Sequence, residues 1–457
     1  MIDSTIGEKK LTHELARLVL SSQPEKDQAV MDAARAGVID FLATSFAARD
    51  DEGVGKLWKI IESEGGHQVV PIIGQKRKAS FLQAALLHGF IGHALDYDDV
   101  HSDVRGHPST VILPALLSVA ATSGLSGERF LASYIVGVEV MARLGLAIGA
   151  EHYNKGWHNT ATLGTIAAGV AASYAEGHSI EQIKKVIGFA ATQASGLRVQ
   201  FGTETKPLHA GIAAQAGLLA VSLAEVNFGG TAYALDGKTG FFSVYGDLHQ
   251  AERALLLDWG NPWKFADPGL WFKIYPFCSA AHHAADAARS LMTHHDILAN
   301  EIEQVQIIFP PKGDSALVVH QPQTGEQGRF SVEYVVALAL NGYTLTLNNF
   351  TAAPISEEIN AFLPRIYRKY DEKIEPVPHA IPKGRFTIVE VEMKDGYVYR
   401  KRVDRPRGAP GNTLSQEDIH QKLEATVAFE QGRASELIKV VSKLKSEEDM
   451  KQLLTLL

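Results

Sequence analysis

Residues 131–150 carry only two charges, Glu139 and Arg143, and their apolar side chains run all the way round a helix of 3.6 residues per turn. A helix of that kind cannot lie on a surface and has to be enclosed by other helices. Apolar residues recur at the same three- and four-residue spacing over 11–20, 29–47, 80–95, 109–122, 130–148, 160–175, 180–195 and 211–226. Gly124, Gly177 and the Gly229-Gly230 pair supply the stops. The stretch 157–175 has no Asp, Glu, Lys or Arg, yet it is rich in Ala, Gly and Thr and includes His158 and Asn159. It is too polar for a lipid-facing span and reads as a buried helix, so no membrane partner is expected.

The pattern changes near Asp267. Residues 305–309 read as a strand closed by Pro310-Pro311. Two alternating runs, 386–393 and 397–403, flank Lys394-Asp395-Gly396, a hairpin signal. Helical runs at 280–293 and 331–341 accompany these strands. In the first half, 68–74 reads as a short strand that Pro71 restricts to an edge. After a Pro- and Gly-rich loop, 405–411, helices resume over 415–431 and 434–457. The expected fold is mainly α with an α+β insertion. Residues 1–266 and 405–457 form one helical domain built from both chain ends, and 267–404 form a smaller α+β lid. The joints at 266–268 and 405–411 are where a lid would move.

Charge and cysteine content narrow the function. The 44 basic and 52 acidic residues give 44 − 52 = −8, which argues against a general nucleic-acid binder. The only cysteine, Cys278, excludes an intrachain disulfide and a Cys-rich zinc site. Residues 1–19 turn charged at once and do not read as a secretory signal, so a cytoplasmic protein is expected. G-x-S-x-G, Walker and G-x-G-x-x-G fingerprints are all missing from the sequence, which lowers the odds for a serine hydrolase, an NTPase or a dinucleotide enzyme.

Proton carriers and cations gather beside helix starts in four segments. Residues 93–110 run from His93 through Asp96, Asp98, Asp99, His101 and Asp103 to His107-Pro108-Ser109. His158 directly precedes a small-residue helix, and Lys206-Pro207-Leu208-His209 opens another. The fourth segment, 273–283, holds Lys273, Cys278 and the His282-His283 pair. Helix N-termini favour carboxylate or phosphate. If these starts converge, they make a cationic cradle suited to proton abstraction next to a carboxylate. Each piece also has an ordinary reading: a capping or core histidine, a solvated lysine, a small buried cysteine. The aspartates lack the spacing of a calcium loop, so no metal is assigned. His282 and His283 point about 100° apart on a helix and cannot share one site.

Taken in order, several motifs resemble the MmgE/PrpD family: His93-Ala94-Leu95-Asp96-Tyr97-Asp98-Asp99 with His107-Pro108-Ser109, and Lys206-Pro207-Leu208-His209-Ala210-Gly211. Gly240-Phe241-Phe242, Lys273-x-Tyr275-Pro276 and Phe330-Ser331-x-x-Tyr334 follow in register. That family includes dehydratases, decarboxylases and epimerases of citrate-like and imino-dicarboxylate substrates. The resemblance implies a homodimer, an active site between the two domains and no obligatory cofactor. It maps a catalytic set to Asp96, His107, His158, Lys206 and Lys273. Tyr334 is assigned to substrate contact with His101 and His209. Two positions depart from the decarboxylase pattern: Val100 stands where that pattern has Thr, and Cys278 where it has a catalytic His. The resulting expectation is a cofactor-independent lyase for a small di- or tricarboxylate. An epimerase of an amino- or imino-dicarboxylate and a non-catalytic carboxylate binder are the alternatives.

Cys278 precedes a helix start, which favours a thiolate there. If it stands in for the family's histidine, Cys278→Ser lowers turnover roughly 10²–10⁴-fold with little loss of stability. Steady-state kinetics beside a thermal melt check this. Full activity would leave proton transfer to His107, His158 and Lys206.

Overall fold

The structure is a computed structural model and describes residues 11–246 and 248–457. The charged first ten residues, on which most of the signal-peptide reading falls, lie outside the described residues. Eight helices follow the apolar periodicity: Leu11–Leu20, Gln28–Ala47, Phe81–His93, Ser109–Ser123, Gly127–Asn154, Asn159–Ala175, Ile180–Gln193 and Thr205–Glu225. Short polar side chains start several of them. Asp27 accepts from the N–H groups of Ala29 and Val30, and Ser126 accepts from Arg129. Ser179 and Gln182 form a capping box. The last of the eight helices begins at Thr205, so Lys206 lies in its first turn rather than outside it. Helices Glu52–Glu64 and Leu248–Leu256 were not foreseen.

The helix at the centre, Gly127–Asn154, shows how its two charges are accommodated. Arg143 Nε donates to Glu139 Oε1 at 2.8 Å, and both side chains are buried. Arg143 also donates to the carbonyls of Leu257 and Asp258, while Glu139 Oε2 accepts from the Lys264 N–H at 2.6 Å. The pair is fully hydrogen-bonded, the condition under which buried charge is tolerated. It also fastens the loop that leads toward the second half. Gly127–Asn154 and Thr205–Glu225 are long and apolar enough to cross a membrane. Their most apolar windows are 94% and 67% buried inside the protein, as expected of core helices.

A single hydrophobic core takes residues from Leu11 to Leu270 together with Leu414 to Leu457. The helical body is thus built from both chain ends. The expected last helix is two, Arg433–Ser442 and Glu447–Thr455, because Ser446 and Asp449 form a capping box that starts a new one. The returning chain is locked in by Lys422 on helix Gln416–Thr426. Its Nζ donates to Asp40 Oδ1 at 2.7 Å and to the carbonyls of Tyr97 and Lys273 at 2.8 and 3.0 Å.

A second core runs from Tyr275 to Val391. The strands in chain order are β1 (Val70–Pro71), β2 (Lys78–Ala79), β3 (Ile302–Phe309), β4 (Ile366–Tyr370), β5 (Thr387–Met393) and β6 (Val398–Val403). β1 and β2 form a small separate pair. The other four make one sheet of order β4-β3-β5-β6, with β3 parallel to β4 and antiparallel to β5. The expected hairpin joins β5 and β6, with Gly396 at φ 86° in its turn. β4 was missed: Ile366-Tyr367-Arg368-Lys369-Tyr370 has one buried apolar residue and gives no alternating signal. Helices His282–His294 and Val332–Leu340 pack on this sheet side of the molecule.

One close approach sets the site. A Cβ placed on Gly89 would lie 2.6 Å from Gly211 Cα, and one on Gly211 would lie 2.3 Å from the Leu86 carbonyl oxygen. Helices Phe81–His93 and Thr205–Glu225 therefore touch backbone to backbone, which brings the end of the first to the start of the second. Gly89→Ala overpacks this contact and should cost about 1–3 kcal/mol. A circular-dichroism melt reads this as a lower melting temperature; an unchanged value would mean the contact is not tight.

Candidate active site

Helix Phe81–His93 ends at His93, and the chain turns through Asp96, whose φ of 50° is in the left-handed region that Asp tolerates better than most residues. That turn aims the Asp96 carboxylate at two ammonium groups. Lys206 Nζ donates to Oδ1, while Lys273 Nζ lies 3.1 Å from Oδ2 and donates to the Asp96 carbonyl at 2.6 Å. Burial disfavours the ionised carboxylate, but Lys206 and Lys273, aided by His107 and His93, outweigh it and hold the group far below the usual carboxylate range.

Asp98 organises the imidazoles. Its Oδ2 lies 2.8 Å from His93 Nδ1 and 3.2 Å from His107 Nδ1. Despite burial, His107 and His93 hold its carboxyl well below the ordinary range. An ionised carboxylate only accepts, so His93 Nδ1, hydrogen-bonded to it, carries the proton and His93 Nε2 keeps its lone pair; His107 Nδ1 faces the same oxygen outside hydrogen-bond geometry, and the carboxylate's charge favours the same tautomer there. Burial, partly offset by Asp98, pulls His107 below its ordinary value and His93 down to about 3. Both rings are neutral at neutral pH. His107 Nε2 stands 3.8 Å from Asp96 Oδ1. The His93 and His107 rings meet edge to face with centroids 4.5 Å apart.

His158 caps the start of helix Asn159–Ala175 and sits beside this cluster, its ring stacked 6.0 Å from His93. Its Nδ1 lies 3.1 Å from Nδ1 of His209, so one ring donates and the other accepts. Burial, then His93 and Lys206, keep His158 well below its ordinary value. Ser109 donates to Asp99 and tethers the acidic turn to the helix that follows. Burial raises the Asp99 carboxyl to about 8.

Asp96, His107, His158, Lys206 and Cys278 line one cavity of about 270 Å³, between the helical core and the second core. Lys273 lies behind Asp96, fully buried, and reaches the cavity only through that carboxylate. His209 stands behind His158. None of the three assigned contacts, His101, His209 and Tyr334, lines the cavity. His101 has both ring nitrogens engaged by backbone, with Nε2 2.9 Å from the Lys264 carbonyl and Nδ1 accepting from the Asp103 N–H at 3.2 Å. Tyr334 donates its hydroxyl to the Asn349 carbonyl at 2.7 Å and packs against Phe350; Phe330, from the same motif, lines the cavity instead. The thiolate expectation for Cys278 also fails. Burial and then Asp96 push the thiol up, and the residue leads into a three-residue turn, Ser279–Ala281, rather than directly into helix His282–His294. His282 and His283 bond to the carbonyls of Phe277 and Ile381 and serve the fold.

Sequence reasoning quoted His93 and Asp98 without a role and missed Arg105, Tyr153, Phe201, Lys312, Lys383 and Arg385, all six of which line the cavity. No local pattern marks them. His93, Asp96, Asp98 and His107 offer ligand atoms within 4.8 Å of one another. They do not suit a divalent cation, because the Asp96 oxygens already face two ammonium groups that would repel it.

The MmgE/PrpD N-terminal domain matches residues 13–254 and the MmgE/PrpD C-terminal domain matches 275–446. Among curated relatives, the cis-aconitate decarboxylase of Mus musculus is 29% identical over 391 residues, covering 82% of this chain and 78% of the relative. The Homo sapiens cis-aconitate decarboxylase is 28% identical over 391 residues, with 82% and 79% covered. The cis-aconitate decarboxylase of Aspergillus terreus is 25% identical over 411 residues, with 84% and 83% covered.

The buried neutral histidines set a pH dependence. His88 and His283 are also pulled by burial to about 3. In the unfolded chain such groups take up protons below roughly pH 6.5. There the unfolded state binds more protons, so stability falls as pH falls, on the order of 1.4 kcal/mol per pH unit for each histidine. Asp96 and Asp98, with depressed values, add loss below about pH 4. Calorimetry from pH 8 to 4.5 should show the melting temperature dropping steadily below 6.5; a flat profile contradicts a neutral cluster.

Proposed function

This chain belongs to the MmgE/PrpD family, and we propose that it is a cofactor-independent lyase that removes water or CO₂ from a small di- or tricarboxylate. One observation carries this reading. The cavity is lined by five cationic residues, Arg105, Lys206, Lys312, Lys383 and Arg385, against a single carboxylate, Asp96. That balance is found in a chain whose net charge is −8. A polyanion fits such a cavity, and its charge is felt strongly away from bulk water. The names of the relatives agree with it.

The chemistry follows from the protonation states. His107, neutral and oriented through Nδ1 by Asp98, takes a proton at Nε2 from the carbon next to a carboxylate. The bonding pair moves into that carboxylate as enediolate charge, and the field of the Lys206 ammonium stabilises it. In a dehydration the pair then returns to form the double bond while the β-hydroxyl leaves, protonated, as water. In a decarboxylation no proton is abstracted: the C–CO₂ bond breaks, CO₂ leaves, and the one pair left behind is protonated at carbon. Cys278, kept as a thiol by its burial, and His158 are the proton donors in reach of the cavity. Asp96 fixes Lys206 and Lys273 and takes no proton itself. We read the molecule as a homodimer, with the exposed apolar Ile212 and Leu219 on helix Thr205–Glu225 supporting a helical contact face.

A second reading, epimerisation of an imino- or amino-dicarboxylate, draws on the same pair of a neutral imidazole and a protonated thiol in one cavity. Incubation with citrate, 2-methylcitrate, cis-aconitate and iminodisuccinate in deuterated water separates the two. The lyase predicts loss of water or CO₂ from one of the first three. Deuterium uptake with inversion and no mass loss assigns the epimerase. Binding without either leaves a carboxylate-binding homologue.

A further inference from the structure

Of the lysines at the reacting end, neither Lys206 nor Lys273 is free for substrate, because both are held by Asp96. The cations that remain without an ion pair among the described residues come from elsewhere. Arg105 follows the acidic turn at φ 55° and is exposed, as are Lys312 and Lys383. Arg385 differs from these three. It is only partly exposed, and its Nε is buried with no hydrogen-bond partner. Burial pulls its guanidinium below its ordinary value. The carboxylate whose field reaches it, Asp314, is already bound by Arg368 at 2.9 Å and by the Tyr370 hydroxyl at 2.8 Å.

The loop that carries Arg385 is built to hold it. The Arg385 N–H donates to the Pro382 carbonyl at 3.0 Å, closing a turn in which Gly384 takes φ 82°. A residue with a Cβ is strained at that φ, although the space around it is open. The Ile381 N–H donates to the Asp404 carbonyl at 3.1 Å and the Ile381 carbonyl faces His283 Nε2 at 3.0 Å, while Arg405 Nε donates to the His379 carbonyl at 2.5 Å. A guanidinium whose Nε is buried with no anion beside it, on a pinned loop and in the repulsive field of Arg105, is unfavourable. An anion between the two arginines removes that cost, and a planar carboxylate matches the guanidinium fork.

We propose that Arg385, together with Arg105, is the site for a second, non-reacting carboxylate of the substrate and so sets the requirement for a di- or tricarboxylate. This rests on the reading of the cavity as a polycarboxylate site. Arg385 comes from the connection between β4 and β5, and Arg105 from the helical body. A substrate carboxylate held by both ties the two cores together over the reacting groups.

The test is calorimetric binding of tricarballylate, glutarate and butyrate to the full chain, with Arg385→Gln and Arg385→Lys beside it, and thermal melts with and without tricarballylate. None of the three probes needs to turn over. The wild type should bind in the order tricarballylate, glutarate, butyrate. Arg385→Gln should lose roughly 10–100-fold in tricarballylate affinity, with a smaller loss for Arg385→Lys and little change for butyrate. Without ligand, Arg385→Gln should melt at the same temperature or higher, because an uncompensated charge has been removed. Tricarballylate affinity unchanged in Arg385→Gln, or a marked fall in its ligand-free melting temperature, overturns the proposal; should that variant not fold, unchanged affinity in Arg385→Lys does the same. If the wild type binds none of the probes, the polycarboxylate reading itself fails. Absence of lyase turnover with the binding pattern intact removes only the reaction assignment.

Discussion

The carboxylate of Asp96 is shared by Lys206 and Lys273, and these residues come from the turn after one helix, the first turn of another and the approach to the second core. All three side chains are at least nine-tenths buried. Removing such charges from water is costly, and only their close mutual contact offsets it. Loss of any one of them leaves the others uncompensated, which typically costs about 3–5 kcal/mol. The same contact closes the seam between the helical body and the α+β half exactly where the cavity opens, so stability and the site's geometry are one constraint.

Small residues make that contact reachable. Helices Phe81–His93 and Thr205–Glu225 meet at Gly89 and Gly211, and the second of them also meets Asn159–Ala175 where Gly217 faces Gly169. Larger side chains would push these axes apart, and Lys206 and His158 would no longer share a wall with Asp96. From the other side, Lys422 binds Asp40 and also the carbonyls of Tyr97 and Lys273. The C-terminal helices therefore brace the acidic turn and Lys273 together, which gives the return of the chain to the first core a role in the site.

Division of labour among the charged groups follows from their surroundings. Asp96 and Asp98 stay ionised because each has cationic or imidazole partners, while Asp99, which has only Ser109, is pushed up to about 8 by burial and then by Asp40 and Asp98. The imidazoles stay neutral because burial outweighs the nearby carboxylates. Cys278 stays a thiol because burial and the charge of Asp96 both disfavour its thiolate. The cavity thus combines neutral proton carriers with positive charge, the pairing that handles a carbanion next to a carboxylate.

Periodicity alone determined most of the helices, because a buried helix has to be apolar on the faces it hides, and the β5–β6 hairpin was legible because its turn needs Gly396. Helix-start segments rich in His and Lys drew attention to four stretches of the sequence, and the resemblance to the MmgE/PrpD family narrowed them to Asp96, His107, His158, Lys206, Lys273 and Cys278. Strand β4 escaped because it is an edge strand whose pattern is set by its neighbour β3 and not by its own sequence. His101, His209 and Tyr334 misled because a histidine or tyrosine in a rich segment reads the same whether its polar atoms meet substrate or other groups of the protein. Arg385 was invisible: Pro382-Lys383-Gly384-Arg385 is an ordinary turn, and only the packing of two distant cores left its Nε buried without a partner. Sequence determines what a segment can do locally; which polar atoms are already satisfied, and which are left for a ligand, is decided by tertiary contacts between residues hundreds of positions apart.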